Sequence, residues 1–144
     1  MTELPQPPKF FASIKVRFNE TDLQGHVNFG QYYFYFDVGA TEYMEAIGYD
    51  YATMLKDDVD LLYAESHCNY KSTAKWAEVL RVHTRIAHLG RRSVRYEFDV
   101  RAENDGRQVA IGHIVAVAAQ RGTWAEREVP EGLRRAVEKY ESSN

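Results

Sequence analysis

Cysteine is almost missing from this chain of 144 residues: there is one, Cys68. A lone thiol cannot close an intramolecular disulfide or build a cysteine zinc cluster, so a reducing, cytoplasmic setting is the expectation. Proline is nearly as scarce, and three of the four (Pro5, Pro7, Pro8) crowd into Met1–Lys9. That stretch reads as an extended lead-in, and without an apolar core it does not look like an export signal. No run of about 18 apolar residues occurs, so no bilayer-spanning helix and no membrane partner are expected. A surplus of one charge is lacking too. The net charge of −3 gives no general pull toward nucleic acid. The five histidines (His26, His67, His83, His88, His113) are scattered, with no H-x-x-x-H on a helix, which argues against a metal centre. Repeats and low-complexity segments are absent. One domain, residues 1–144, is expected from a length that can bury a single sizeable core.

What is present is strong patterning. Phe11–Phe18 alternates, with Ile14, Val16 and Phe18 on one face and Ser13, Lys15 and Arg17 on the other, as a half-buried strand does. From Phe29 the apolar residues Tyr32, Tyr33, Phe36, Ala40, Tyr43, Met44 and Ile47 recur at steps of three and four, which predicts a long helix with a broad apolar face. Asn28 is a favoured capping residue for its start and Gly48 a stop for its end. Tyr51–Lys56 fits one short second helix. Beyond Asp60 the period changes to two. Leu62, Ala64, Ser66, Cys68 and Tyr70 are expected on one face of a strand, and Leu61, Tyr63, Glu65, His67 and Asn69 on the other. Leu80–Ile86 and Val94–Val100 alternate as clearly, and Asn104-Asp105-Gly106 is a hairpin signal. Gln108–Gln120 is apolar on both faces, one of them small (Ala110, Gly112, Ala116, Ala118), as suits a central strand approached by another layer. Glu131–Tyr140 predicts an amphipathic helix. The order strand, long helix, four strands is an α+β arrangement, and a curved antiparallel five-stranded sheet wrapped around the one long helix is the economical way to bury it.

The chain is organised around Glu20-Thr21-Asp22-Leu23-Gln24-Gly25-His26-Val27-Asn28-Phe29-Gly30-Gln31-Tyr32. A carboxylate, a glycine turn, a histidine and a helix start fall within a few residues of one another. The pattern T-D-x-x-G-H-V-N-x-x-x-Y resembles the signature of the hotdog-fold acyl-CoA thioesterases of the 4-hydroxybenzoyl-CoA thioesterase-like family, and the likeness extends over nearly the whole chain. It implies the hotdog fold already suggested by the element order. It also implies hydrolysis of an acyl-CoA, or an acyl carrier protein thioester, to free acid and thiol, with no cofactor beyond the coenzyme A of the substrate.

By that resemblance Asp22 is the nucleophile, or the general base that activates water. His26 orients Asp22 or bonds the thioester carbonyl, and Tyr32 stands where the family has an aromatic near the site. The amides of Phe29 and Gly30, at the positive end of the helix, suit a developing oxyanion, and Asn28 shapes the same substrate-binding corner. Glu42 and Glu45 are rivals to Asp22, because a second branch of hotdog thioesterases carries its carboxylate on the helix. Arg91, Arg92 and Ser93 sit in a turn where the family places groups that meet coenzyme A phosphates, for which arginine forks are suited. Lys71-Ser72-Thr73 is a weaker cluster, since the family often has proline in place of Thr73. The resemblance also implies a homodimer or homotetramer with active sites at a subunit interface. Two other activities fit the same scaffold: a hydratase or dehydratase of acyl thioesters, and a non-catalytic acyl-CoA binding module.

Overall fold

A computed structural model describes residues 4–143. The elements are β1 (Phe10–Lys15), α1 (Gln31–Ala46), α2 (Tyr51–Lys56), β2 (Val59–Tyr70), β3 (Val79–Leu89), β4 (Ser93–Ala102), β5 (Gln108–Gln120) and α3 (Glu131–Ser142), with a 3-10 turn at Phe18–Glu20. The five strands form one antiparallel sheet in the order β1-β3-β4-β5-β2. This is the expected hotdog arrangement, with α1 as the filling. Three residues of the proline-rich lead-in, Met1–Glu3, lie outside the described part. Its remainder runs along the sheet face away from α1, where the Pro8 carbonyl meets His83 Nδ1 at 2.8 Å and Arg101 Nη2 donates to the Pro5 carbonyl at 2.6 Å.

The core forms where the small face of β5 meets the aromatic face of α1. Phe36 is fully buried and stacks on Phe98 with ring centroids 4.5 Å apart. It can sit that low because Gly112 has no side chain: a Cβ there would lie 2.6 Å from the Phe36 ring and 2.3 Å from the His67 carbonyl. Gly39 does the same for the helix, since a Cβ on it would come within 2.6 Å of Thr84 Oγ1 on β3. Helix α1 ends as expected at Gly48, whose φ of +85° is one that side chains disfavour.

Three local expectations need correction. Strand β1 stops at Lys15, because the backbone turns into the 3-10 turn, and Phe18 is 75% exposed instead of facing the core. Asn28 does not cap α1: Gly30 holds that position, and the Asn28 side chain instead accepts from the Gly30 amide at 2.9 Å. In β2 a bulge between Tyr63 and Glu65 shifts the alternation by one residue. Leu61 and Tyr63 therefore share the helix side of the sheet with Ser66, Cys68 and Tyr70, while Glu65, His67 and Asn69 face outward.

Candidate active site

The segment that connects β1 to α1 folds into a small closed loop. Thr21 bridges Val27, the Asp22 amide donates to the His26 carbonyl at 2.9 Å, and the Gly25 amide donates back to the Asp22 carbonyl at 2.9 Å. Gly25 takes φ +79° to close the turn. The loop docks on residues 74–75 through the Val27 amide, which donates to the Ala74 carbonyl, and through the His26–Lys75 bridge. Asp22 is exposed at its tip, with one carboxylate oxygen accepting from the Gln24 amide at 2.9 Å. Among the described residues no donor meets the other oxygen. Asp22 opens onto a depression of about 920 Å³ lined by Phe18, Thr21, Leu23, Lys75 and Trp76. Phe18 and Trp76 pack edge to face there at 6.2 Å, both well exposed. These apolar walls escaped the sequence reading, which put Phe18 in the core. An aromatic amid the polar Lys71–Glu78 connection was the available signal.

The start of α1 lies beside this loop. The Asn28 carbonyl accepts from the Gln31 amide at 3.0 Å, so it points along the helix. A trans peptide sets C=O and N–H in opposite directions, so the Phe29 N–H points outward, away from the helix. Among the described residues it has no acceptor. The Phe29 carbonyl is held by the Tyr70 hydroxyl at 2.9 Å, which ties the helix start to the end of β2. The Gly30 amide is not available in the same way, because Asn28 Oδ1 already takes its proton.

The remaining sequence-derived residues divide. His26 is half-buried beside Asp22 in the loop. Tyr32 is buried, edge to face with Tyr35 and Tyr70, and burial pushes its hydroxyl up to about 12. Glu42 and Glu45 are exposed on α1. Asp37, which the sequence reading passed over, accepts from the Tyr63 hydroxyl at 2.7 Å. The pair lies beside a cavity of about 370 Å³ formed by α1, α2 and β2, with Ala40, Met44, Met54 and Leu61 among its lining.

The basic turn is elsewhere. Lys15 pairs with Val79 at the start of β3, so the Asp22 loop leaves from that end, whereas Arg91 and Arg92 lie past Leu89 at the other. The 11 residues of β3 separate them, about 33 Å at the usual strand rise. Lys71 follows Tyr70 at the Asp22 end. Arg91 Nε donates to Glu128 at 2.7 Å in an exposed ion pair. The turn is held by α3 and the segment before it: Arg134 donates to the carbonyls of Gly90 and Arg91, and the Val129 amide to that of Arg91. Ser93 is half-buried at the base of this turn.

Residues 16–137 match the profile of a family described as the thioesterase-like superfamily. The chain belongs to that superfamily. Solved structures agree in fold. A Pseudomonas aeruginosa PAO1 protein is 30% identical with a TM-score of 0.83, over 95% of this chain and 94% of that one. A DHNA-CoA thioesterase from Staphylococcus aureus is 22% identical with a TM-score of 0.83, over 90% and 89%. A 1,4-dihydroxy-2-naphthoyl-CoA thioesterase from Synechocystis is 14% identical with a TM-score of 0.81, over 89% and 94%. Among the described residues of this thioesterase-like chain, no three His, Cys, Asp or Glu side chains gather in a way that could hold a metal ion. No described helix is long and apolar enough to cross a membrane.

Proposed function

We propose that this protein hydrolyses an acyl-CoA thioester to free acid and coenzyme A at a site shared by two copies of the chain. The observation that carries the reading is the position of Asp22 on a tight loop beside the outward-pointing Phe29 amide. A carboxylate and a backbone donor are the two groups that thioester hydrolysis needs. Asp22 takes the proton of a water as it attacks the carbonyl carbon, or attacks it directly to form a mixed anhydride that water then opens. The Phe29 amide, at the positive end of α1, stabilises the oxyanion, and His26 supports the Asp22 loop. Collapse of the tetrahedral intermediate expels the thiolate of coenzyme A, which takes up a proton.

Two copies enter because of β2. It is an edge strand of 12 residues that among the described strands pairs with β5 alone, and Leu62, Tyr63 and Tyr70 on it are exposed. Such an edge invites pairing with another strand. Antiparallel pairing of two β2 edges would set the Tyr70 end of one copy against the Val59 end of the other. The Tyr70 end carries Asp22, Lys71 and the start of α1. The Val59 end lies with Arg92, whose carbonyl accepts from the Ala118 amide, opposite Leu61. Two-fold pairing thus brings the carboxylate of one copy toward the arginines of the other, where they can receive coenzyme A phosphates. The cavity beside Leu61 then supplies apolar volume for the acyl group.

The test is thiol release from a panel of aromatic, short-chain and long-chain acyl-CoAs. Asp22→Asn should lower kcat by about 10²- to 10⁴-fold with the fold intact. Near-full turnover in the folded variant would refute the role. An enoyl or hydroxyacyl thioester product without thiol would indicate hydratase chemistry, and binding without turnover a binding module.

A further inference from the structure

We infer that Glu20 is a positioning residue whose buried carboxylate fixes the Asp22 loop to the first turns of α1. The inference rests on the catalytic reading of Asp22 above. Of the ten residues between Val16 and Val27, only Glu20 is buried, at 4% exposure. The loop therefore has no apolar anchor of its own between its two ends. A carboxylate taken out of water is destabilising unless its oxygens are filled, so its surroundings show what it is for.

They are filled from both sides. Oε1 accepts from the Arg17 amide at 2.9 Å and from the Tyr35 hydroxyl at 3.0 Å. Oε2 accepts from Arg17 Nη2 at 2.8 Å, Arg17 Nε at 3.1 Å and Gln31 Nε2 at 3.4 Å. Gln31 is the first residue of α1 and Tyr35 stands one turn further on. The main chain of Glu20 adds a second grip, since its carbonyl accepts from the Asn28 amide at 2.9 Å. Asn28 is the residue whose peptide presents the Phe29 amide. One residue thus holds the attacking carboxylate, two positions downstream, in register with the oxyanion donor. An aliphatic side chain could fill the volume but could not grip α1 at fixed points.

The test separates positioning from mere stability. Glu20→Gln keeps the volume but puts a carboxamide NH2 in place of one oxygen, so that in either orientation it faces a donor of Arg17. Tyr35→Phe removes one bond and leaves the ring packed. With a CoA ester, Glu20→Gln should lower kcat by roughly 10- to 100-fold while KM moves by less than about threefold, as misplacement of a reacting group does. Hydrogen exchange at the Val27 and Asn28 amides should speed up, with that at Val82 in β3 unchanged. Tyr35→Phe should repeat both effects more weakly, and it carries the test if Glu20→Gln does not fold. Wild-type kcat in a folded variant, or unchanged exchange at Val27 and Asn28, would overturn the inference. Failure of the underlying reading looks different. In that case Asp22→Asn itself stays active, whereas failure of this inference leaves Asp22→Asn inactive and the Glu20 variant active.

Discussion

If Asp22 and the Arg91–Arg92 turn serve one site from different copies, two impaired variants must repair each other. In one chain the two groups are separated by about 33 Å of β3, farther than either side chain can reach across. Asp22→Asn homodimers lack the carboxylate at every site. Homodimers of Arg91→Ala/Arg92→Ala lack the phosphate contacts at every site and should show a raised KM for CoA esters. A hybrid has one site with both defects and one with neither. Random reassortment at equal concentrations makes about half the dimers hybrid, and each has half its sites intact. The mixture should therefore recover about a quarter of wild-type kcat/KM, measured well below the wild-type KM. The assay is thiol release after mild unfolding and refolding of the mixture, with unmixed variants refolded in parallel. A mixture no more active than the average of its parents would refute the shared site and take the arginines out of it. Comparison with a truncated pantetheine thioester adds a control, because without nucleotide phosphates the double arginine variant should lose nothing.

Two further outcomes concern the scaffold. Gly112→Ala should destabilise the protein by about 2–3 kcal/mol, lowering Tm by roughly 5–10 °C in calorimetry, because the new Cβ meets the His67 carbonyl and the Phe36 ring; an unchanged Tm would refute the close approach of α1 to β5 as the reason for a glycine there. Burial holds the His83 imidazole below its usual range, only partly offset by its contact with the Pro8 carbonyl and the nearby Asp99. The unfolded chain then takes up a proton first, so stability is fully present above about pH 6.5 and falls as pH drops through the depressed folded value. His83→Gln should flatten that acid limb in urea melts between about pH 7 and 5, and an equally steep limb would place the acid sensitivity elsewhere.

Periodicity carried most of the fold. The three- and four-residue steps of Tyr32, Phe36, Ala40 and Tyr43 and the twofold alternation of β3 and β4 report local geometry, which a sequence states directly. The Gly112 face was legible for the same reason, since Ala110, Gly112, Ala116 and Ala118 on one side of a strand leave room for a close neighbour. The motif brought Asp22, His26 and the helix start together because they are adjacent in the chain. Tertiary structure decided the rest. The β2 bulge cannot be read from residue types, because Ala64 looks like any strand residue and only pairing with β5 shows the slip. How far Arg91 and Arg92 lie from Asp22 within one chain was settled by the register of β3, which puts a strand's length between them. Glu20 is one more acid in a polar stretch until Tyr35 and Gln31 arrive from α1 to bind it. The alternation of a strand is local and leaves its mark on the sequence. The distance between two loops, and the partner of a buried charge, depend on chain segments that meet only after folding.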